Sequence, residues 1–536
     1  MQLNLKDGQK VGHNGNPAEF KRMCYVIIIM FIHIGLTFWL QTHAQIGGDG
    51  IFTYTLANNP YSFEYIDYTY KRLPQNNGWI SAHILRESYI VEDYDKFNYS
   101  SVYFHQRIDN HPLLYYTLVH TVCSIFANSY SNLYTMIINL FFLCAVDILI
   151  IRLFWKLYGK AGYAVVPFAF LFLMVVMQEL YVLPRMYMAL AFFCFWYLYM
   201  HWNFISNEEW KKSDLVKMTI CVFLGTQTHY YFYVYAFSLT VFTIVYLLFK
   251  HRKNNLFWYV YSGIIGIAAS WILFPWIIWH IFLNQMSKHT EIMPWSLKKF
   301  NEYVQFLNDK LFNGRGMIAI GIVAVLCICV VLLKKTAKPK TSNLVRFHVM
   351  VFGSGFIYSL IIFTLDDAIW YYMTPLFLTF ILWFSMILLG LIERIVPQKR
   401  KEALTSGIAV ICIIIMLSIS AVIDWAQPYL KEYNIVVNFR NTAQEYQQYD
   451  CIFIEQYQNN LFQGYWFEFG DYDEFKKIPL TDFQQKGITK EDLMGRKDDS
   501  GLIVYAPMEY VNGKEYKLLA SRGSYGVYEL DDEAVQ

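Results

Sequence analysis

The sequence has little charge. Only 16% of its 536 residues are Asp, Glu, Lys or Arg, and 56% are hydrophobic, whereas soluble domains carry about 25% charged residues. The net charge of +2 is too small to indicate a nucleic-acid partner, and the basic residues form short clusters between apolar runs. These features exclude an ordinary soluble domain and predict a polytopic membrane protein in contact with membrane lipids.

The cysteines exclude a disulfide framework. Eight of the nine lie in apolar segments, and only Cys451 lies in a polar one. The sequence also has no CxxC zinc motif, no internal repeat and no low-complexity tract. Lys21 and Arg22 precede an apolar stretch that lacks a small-residue cleavage site, so we expect a retained first helix.

Eleven apolar runs approach the length of about 20 residues that crosses a bilayer. They are 24–41, 132–155, 163–180, 184–200, 214–228, 230–249, 257–280, 316–333, 345–364, 370–392 and 404–425. A shorter run, 113–127, is predicted to be a re-entrant or juxtamembrane helix. If this short run does not cross the membrane, all the basic clusters between the runs lie on the same side of the membrane. The positive-inside rule assigns that side to the cytoplasm.

This topology predicts the domain organisation. Residues 1–23 form a cytoplasmic segment, and residues 24–425 form a multi-pass domain in the cell (inner) membrane. The outer face receives a first loop at 42–112, a second loop at 282–315 and everything after the last span. The predicted fold class is therefore an all-α polytopic membrane protein of about eleven helices with an outer C-terminal domain.

Residues 430–536 have the composition of a soluble domain. Short buried strands are predicted at 450–454 and 501–505, a hairpin at 516–530 and a helix within 480–495. The sequence therefore predicts a small α/β extracytoplasmic domain at the C-terminus.

Asp49 is the candidate catalytic carboxylate. It follows Gly47 and Gly48 just beyond the first span, and glycines let a backbone approach a ligand closely. A general base must reach an acceptor hydroxyl while partly desolvated, which raises its proton affinity. The alternative is an ordinary loop aspartate that caps a helix starting at Ile51.

His111 and Pro112 open the short run, and Arg107 and Asp109 precede them. A cation, a carboxylate and an imidazole within five positions at a membrane surface can bind a phosphate. The alternative is an interfacial turn in which the proline begins a helix.

Two predicted outer turns carry further candidates. Arg185 lies at the outer lipid boundary, where an arginine needs an anion, either Glu179 or a lipid phosphate. His229 lies in the other turn, from which its imidazole can reach the same outer face as Arg185. The alternative is a histidine with a purely structural role.

Two carboxylate features receive the simpler interpretation. Asp366 and Asp367 resemble a divalent-metal pair but have no third ligand at a diagnostic spacing, so no metal is assigned. Asp147 lies within a span five positions before Arg152, and a local ion pair between them is the simpler interpretation.

The ordered motifs resemble the GT-C glycosyltransferase superfamily, specifically bacterial relatives of protein O-mannosyltransferases and of aminoarabinose transferases that modify lipid A. The motifs are Asp49-Gly50, His111-Pro112-Leu113-Leu114-Tyr115-Tyr116, Pro184-Arg185-Met186-Tyr187-Met188-Ala189-Leu190 and Thr228-His229-Tyr230. The resemblance implies an inverting membrane transferase that moves a sugar from a polyprenyl-phosphate carrier to a glycan, lipid or protein acceptor on the outer face. No other cofactor is implied.

The resemblance also implies roles for individual residues. Asp49 matches the catalytic carboxylate, His111 matches the His-Pro element of the donor pocket, and Arg185 matches the arginine of the second outer motif. The sequence departs from the family at Gly50 and Leu113, where relatives carry an acidic residue and a second proline. It also has only aromatic groups at 370–375, where relatives often carry an arginine.

Three other functions compete with this one. A transporter or flippase of lipid-linked oligosaccharides would place polar groups near the bilayer midplane and often show two similar halves. A polymerase or ligase of such oligosaccharides would carry its main outer loop late in the chain. A non-catalytic scaffold would use the C-terminal domain for partner binding.

Overall fold

A computed structural model describes the chain over residues 17–43, 48–60, 78–109, 111–207, 210–283, 296–333, 342–364, 370–397, 401–417, 426–456, 466–496, 501–511 and 515–531. The chain divides into two compact units. We call Met1–Trp39, Leu140–Tyr181 and Tyr187–Ile423 the helical unit. Leu40–Asn139, Val182–Met186 and Asp424–Gln536 form the mixed unit.

Helices account for most of the described chain. In chain order they are α1 (Pro17–His43), α2 (Gly48–Asn58), α3 (Ala82–Glu87), α4 (Tyr99–Ile108), α5 (Leu114–Ile125), α6 (Leu133–Tyr158), α7 (Val165–Leu173), α8 (Val175–Val182), α9 (Tyr187–Ser206), α10 (Lys212–Thr226), α11 (Tyr231–Phe249), α12 (Lys253–Leu273), α13 (Leu297–Phe312), α14 (Gly316–Leu332), α15 (Ser342–Phe363), α16 (Thr374–Ile395), α17 (Lys401–Leu417), α18 (Ala426–Glu445) and α19 (Leu480–Lys486). Shorter helical turns lie at Asp93–Asp95, Ala161–Ala164, Trp276–Ile278, Trp279–Leu283, Trp370–Met373, Trp466–Phe469, Lys490–Leu493 and Met508–Tyr510.

Several of these helices can cross a membrane, and the chain is a membrane protein. Among the described residues, seven helices are long and apolar enough, and two bent pairs raise the number to nine if each pair is one span. The bent pairs are α7 with α8, at 73°, and α13 with α14, at 75°. Two shorter helices, α10 with 15 residues and α17 with 17, lie in the remaining predicted runs. Every predicted run therefore contains helix, while the count of eleven spans stays a prediction.

Helix α5 occupies the run that was predicted not to cross. Its 12 residues are about 18 Å long at 1.5 Å per residue, whereas the hydrocarbon core is about 30 Å thick. Its length alone prevents it from crossing as a straight helix. Its re-entrant or juxtamembrane position stays a prediction.

The break between α7 and α8 is stabilised by side chains. Met174 is extended, with a ψ of 119°, so the helix cannot continue through it. Gln178 Nε2 donates a hydrogen bond to the carbonyl of Phe172 at 2.7 Å, and the Tyr181 hydroxyl donates to the carbonyl of Leu171 at 3.0 Å. Carbonyls that lose their helical partners in an apolar environment need such donors, which explains two polar residues at this position.

The predicted pairing of Asp147 with Arg152 is wrong. Asp147 Oδ2 lies 3.0 Å from His33 Nδ1, and His33 Nε2 lies 3.1 Å from the Tyr181 hydroxyl, all within the helical unit. All three side chains are buried, whereas Arg152 is exposed. Residues five positions apart point about 140° away from each other on a helix, so Asp147 faces the core and Arg152 does not.

The mixed unit contains a six-stranded sheet. Its strands are β1 (Ile80–Ser81), β2 (Asp450–Glu455), β3 (Glu474–Pro479), β4 (Leu502–Pro507), β5 (Tyr516–Arg522) and β6 (Tyr525–Leu530). Their order is β1-β3-β2-β4-β6-β5, with β2 parallel to β3 and β4 and the other pairs antiparallel. Gly523 takes a φ of 62° in the β5–β6 turn, where a residue without Cβ avoids strain.

Four of these strands agree with the sequence prediction in position, namely β2, β4, β5 and β6, and α19 lies in the predicted helical stretch. Strand β1, however, comes from the first loop, and Ile80 pairs with Phe475. The buried Trp79 indole donates to the carbonyl of Asp492 at 3.0 Å. The mixed unit thus combines the first loop with the C-terminal region, and the predicted domain boundaries at 42–112 and 430–536 stay predictions.

Candidate functional site

Asp49 lies in the first turn of α2. This helix begins at Gly48, which is earlier than the start at Ile51 considered from the sequence. Ile51 and Tyr54 are fully buried and fix the helix within the mixed unit, while the Asp49 side chain lies outside what the structure describes. The partial positive charge at a helix N-terminus favours an ionised carboxylate, which is the form that a base requires.

Asp109 and His111 form a close pair in the mixed unit. Asp109 Oδ2 lies 2.6 Å from His111 Nδ1, and the two side chains are 14% and 18% exposed. Asp109 ends α4, and its backbone N–H donates to the carbonyl of His105 at 2.9 Å. The carboxylate therefore orients the imidazole, and the ring also lies 6.1 Å from that of Tyr116.

Arg107 lies on the last turn of α4. Its side chain is exposed, and its guanidinium carbon lies 5.7 Å from the centre of the Phe104 ring. A cation at this position can reach an anion at the surface of the mixed unit, so its predicted role is compatible with its exposure.

Arg185 is a buried cation in the turn Val182–Met186. The residue is only 8% exposed and belongs to the mixed unit. The Asn139 amide donates to the carbonyl of Leu183 in this turn at 2.8 Å, and its oxygen lies 3.1 Å from the Tyr115 hydroxyl. The pKa of Tyr115 is raised by burial, and the positive charge of Arg185 opposes that effect. The turn therefore holds a cation beside α5.

Glu179 was the alternative partner for Arg185 in the sequence. In the structure, Glu179 Oε2 lies 3.5 Å from Lys310 Nζ. Lys310 also lies 5.4 Å from the centre of the Trp370 ring. The sequence prediction missed Lys310 because it is one of several lysines on an amphipathic helix, and nothing in its local pattern distinguishes it.

His229 lies in the helical unit among tyrosines. Its Nδ1 accepts a hydrogen bond from the Tyr231 backbone N–H at 3.1 Å, so its Nε2 carries the hydrogen. We define the tyrosine cluster as the four tyrosines grouped with this ring: Tyr187, Tyr231, Tyr371 and Tyr372. Ring centres are 4.6 Å apart for His229 and Tyr231 and 4.5 Å apart for Tyr187 and Tyr371.

The aromatic segment at 370–375, where the sequence lacks an arginine, supplies half of this cluster. Trp370–Met373 forms a helical turn that places Tyr372 near His229 and Tyr371 near Tyr187. Trp370 stacks edge-on against Tyr371 at 5.4 Å. Lys310 beside Trp370 is thus a cation close to this segment. No motif in the sequence indicated that lysine.

Five of the six predicted site residues belong to the mixed unit: Asp49, Arg107, Asp109, His111 and Arg185. Helix α2 packs against α4 and α5, and α4 packs against α5, so the segments that carry the first four are neighbours. His229 belongs to the helical unit. Asp366 and Asp367, the only metal pair considered from the sequence, lie outside the described residues.

His105 is one of the four buried residues of α4. Burial lowers the pKa of its imidazole to about 4, while the Leu56 backbone and the Asp109 carboxylate oppose that effect. Its ring therefore stays neutral at physiological pH and acts as part of the core that fixes α4.

Comparison with known proteins identifies the fold. No protein-family model and no curated protein sequence matches the chain. Two crystal structures of ArnT from Cupriavidus metallidurans match it with a TM-score of 0.53 each, one bound to undecaprenyl phosphate and one in the apo state. The matches cover 96% of this chain and 99% of ArnT at 7% and 9% sequence identity, respectively.

This likeness extends over nearly the full length of both chains. At such low identity it carries information about fold and none about individual side chains. ArnT is an aminoarabinose transferase with the GT-C fold. The chain therefore has the ArnT fold, which agrees at the level of fold with the resemblance that its sequence motifs predict.

Proposed function

We propose that the chain is an integral-membrane inverting glycosyltransferase that moves a sugar from a polyprenyl-phosphate carrier to an acceptor on the outer face of the membrane. The observation that carries the proposal is that most of the candidate site residues belong to one unit, the mixed unit. A helix that begins at Gly48, the Asp109–His111 pair and the buried Arg185 all belong to it. Together they offer a base, an imidazole and a cation, which is what this reaction requires.

The fold supports a polyprenyl-phosphate donor. One of the similar ArnT structures is bound to undecaprenyl phosphate. In this chain Arg185 is the strongest candidate to contact the phosphate, because its guanidinium is nearly buried and can bind two phosphate oxygens at once. His111 and the exposed Arg107 are the further candidates.

The proposed reaction is a single displacement. Asp49 removes the proton from the acceptor hydroxyl as the oxygen attacks the anomeric carbon and forms the new glycosidic bond. The bond from that carbon to the phosphate oxygen breaks, and the electron pair leaves with the polyprenyl phosphate. Cationic groups stabilise this anion, so no general acid is required. Attack opposite the leaving group inverts the anomeric configuration.

Within the helical unit, His229 and the tyrosine cluster form a candidate sugar-binding group of their own. The Nε2–H of His229 is a donor in the tautomer fixed by the Tyr231 backbone. Tyrosine rings offer apolar faces and hydroxyl groups, a combination that suits a sugar, which has both kinds of surface. We therefore assign His229 to substrate binding rather than to proton transfer.

The proposal includes an orientation. The protein lies in the inner membrane of the cell. Its N-terminus is in the cytoplasm, and its C-terminal strands are on the outer side. This arrangement follows from the basic clusters between the spans. The acceptor is a glycan, a lipid or a protein with a reactive hydroxyl on that outer side.

The first experiment measures donor binding, because it does not depend on the identity of the sugar. The purified full chain in lipid nanodiscs is titrated with undecaprenyl phosphate and examined by native mass spectrometry. We expect one lipid to bind saturably, and Arg185→Gln to weaken binding while Arg394→Gln, a change at an exposed arginine of α16, does not. Equal binding by all three proteins would contradict the proposed phosphate contact.

The second experiment measures transfer. Radiolabelled sugars on undecaprenyl phosphate are presented with lipid acceptors from a bacterial envelope, and label on the acceptor is counted. Asp49→Asn should abolish transfer without loss of folding, whereas Asp93→Asn, at an exposed aspartate of the first loop, should not. Full activity of Asp49→Asn would contradict the mechanism. Movement of the intact lipid-linked sugar across the membrane without transfer would favour a flippase instead.

A further inference from the structure

A second group of chemically active side chains lies in the mixed unit on the first loop. His83 and Glu87 lie one turn apart on α3, and Glu92 follows the turn after it. One ligand atom from each residue lies within 4.8 Å of the other two. The sequence motifs of the proposed transferase do not include any of them.

The spacing of these atoms suits a small divalent cation. His83 Nε2 lies 3.2 Å from Glu87 Oε1 and 3.9 Å from Glu92 Oε1. In a tetrahedral zinc site, ligand atoms about 2.0–2.1 Å from the metal are about 3.3 Å apart. The first distance already matches this value, and the second needs a shift of about 0.6 Å, which a rotation of an exposed side chain can supply.

The local charge is negative. Glu87 and Glu92 bring carboxylate oxygens within 4.8 Å of one another, and Asp93 and Asp95 follow Glu92 closely in the chain. Of the nearby cations, Lys96 Nζ lies 2.5 Å from an Asp93 carboxylate oxygen, and Arg86 interacts with Asp471. Two close carboxylates with one imidazole therefore have a reason to bind a cation.

The backbone that carries the first two ligands is anchored to the sheet. Ser81 pairs with Glu474 of β3, and the N–H of Ala82, where α3 begins, donates to the carbonyl of Asp473 at 2.9 Å. Leu85 is fully buried between the two ligand positions. Preorganised backbone lowers the entropic cost of assembling a site.

The turn that carries the third ligand is also fixed. The N–H of Ser88 donates to the carbonyl of Leu85 at 3.1 Å, and the carbonyl of Val91 accepts from the Asn128 N–H at 2.8 Å. The carbonyl of Glu92 accepts from the Asp95 N–H at 3.0 Å. The three ligands are thus presented by one rigid segment of the mixed unit.

We propose that His83, Glu87 and Glu92 bind one divalent transition-metal ion, with Zn²⁺ the best match, that fixes α3 to the turn following it in the first loop. One imidazole nitrogen with two carboxylate oxygens is a ligand set that zinc accepts, whereas calcium and magnesium prefer oxygen alone. His83 is 60% exposed and the two glutamates are 11% and 26% exposed, so the ion enters from solvent and keeps a water ligand. This role is structural and does not depend on the proposed transferase activity.

The test uses the tag-free full chain, stripped with a chelator, and Zn²⁺ alone as the probe. Competition with a chromophoric chelator measures the affinity, and zinc absorption-edge spectroscopy measures the ligands. We expect one tightly bound Zn²⁺ with one imidazole and otherwise oxygen ligands. His83→Ala and Glu92→Gln, at positions accessible to solvent, should each weaken that binding at least tenfold.

The control is His251→Asn, which changes an exposed histidine of the helical unit and keeps a residue tolerant of the positive φ there. It should leave zinc affinity unchanged. Zinc should also raise the unfolding temperature of the wild type but not of His83→Ala. If the wild type binds no Zn²⁺, or if His83→Ala binds it as tightly as the wild type does, the group is only a helical ion pair and the proposal is wrong.

Discussion

The carboxylate of Asp109 lies 2.6 Å from His111 Nδ1, across the short turn that joins α4 to α5. The pair is mostly buried within the mixed unit, and the ring of Tyr116 lies beside the imidazole. A carboxylate at this distance fixes both the orientation of the ring and the nitrogen that carries a proton. Nδ1 is then the nitrogen that donates its hydrogen to Asp109.

Asp109→Asn tests this orientation. An asparagine keeps the size but loses the charge, so the ring is held less firmly, and we expect turnover to fall roughly tenfold or more with little change in unfolding temperature. Transfer of labelled sugar under saturating donor measures the effect. In a His111→Ala background the same change should add almost nothing, because the two residues act as one unit. A further tenfold loss in that background would mean that Asp109 acts independently of His111.

Arg185 provides a second prediction. Loss of a charged hydrogen-bonding partner costs about 1.5–3 kcal/mol, so Arg185→Gln should weaken binding of undecaprenyl phosphate about 10- to 100-fold. Arg185→Lys should recover part of the loss, because a lysine keeps the charge but not the two parallel donors. Titration in nanodiscs measures both. Equal affinity for Gln and Lys variants would indicate that the charge at this position does not contact the phosphate.

Much of the fold was predictable because it depends on local patterns. Long apolar runs become helices wherever the backbone must satisfy its own hydrogen bonds, and each of the eleven runs contains helix. The strands β2 and β4 follow from short buried runs of β-branched and aromatic residues. The two-residue strand β1 was not predictable, since it forms only because β3, almost 400 residues later, offers an edge.

The same distinction applies to the site. The Asp109–His111 pair lies two residues apart, so its spacing in the sequence was enough to suggest it. The pairs of Asp147 with His33 and of Lys310 with Glu179 join distant helices and carry no local signal. Sequence patterns report which residues share a turn or a face, whereas they do not report which helices become neighbours.

The His33–Asp147 pair leads to a prediction about stability. Both side chains are buried, so removal of Asp147 takes the partner from His33 Nδ1, while His33 Nε2 keeps its contact with Tyr181. Asp147→Ala should therefore lower the free energy of unfolding by about 1–3 kcal/mol. The double variant His33→Phe with Asp147→Leu should recover much of that loss, because neither polar group remains. Chaotrope unfolding in detergent micelles measures both, and purely additive losses would show that the two residues do not stabilise one another.

The buried imidazole of His105 makes the stability of the mixed unit depend on pH. Burial lowers the pKa of its imidazole from 6.5 to about 4, so the folded state binds fewer protons than the unfolded state between these values. This contribution to stability is fully present above pH 6.5 and is lost as the pH falls towards 4. Its size is about 3 kcal/mol.

The measurement compares the wild type with His105→Leu, which fills the buried space without a titrating group. The free energy of unfolding is determined at intervals from pH 7 to pH 4. The wild type should lose more stability over this range than the variant does, by about 3 kcal/mol. Parallel curves for the two proteins would show that the imidazole titrates alike in the folded and unfolded states.

The topology can be tested at three exposed positions. The basic clusters predict that Asp93 and Lys517 lie outside the cell membrane and Lys156 lies in the cytoplasm. Asp93→Cys and Lys517→Cys should therefore react with a membrane-impermeant maleimide in intact cells, whereas Lys156→Cys should react only after permeabilisation. The unmodified chain serves as the blank, because its cysteines lie in apolar segments or, for Cys451, in the core of the sheet. If Lys156→Cys and Asp93→Cys are labelled from the same side, α6 does not separate the first loop from the cytoplasm. The proposed transfer on the outer face of the membrane would then be wrong.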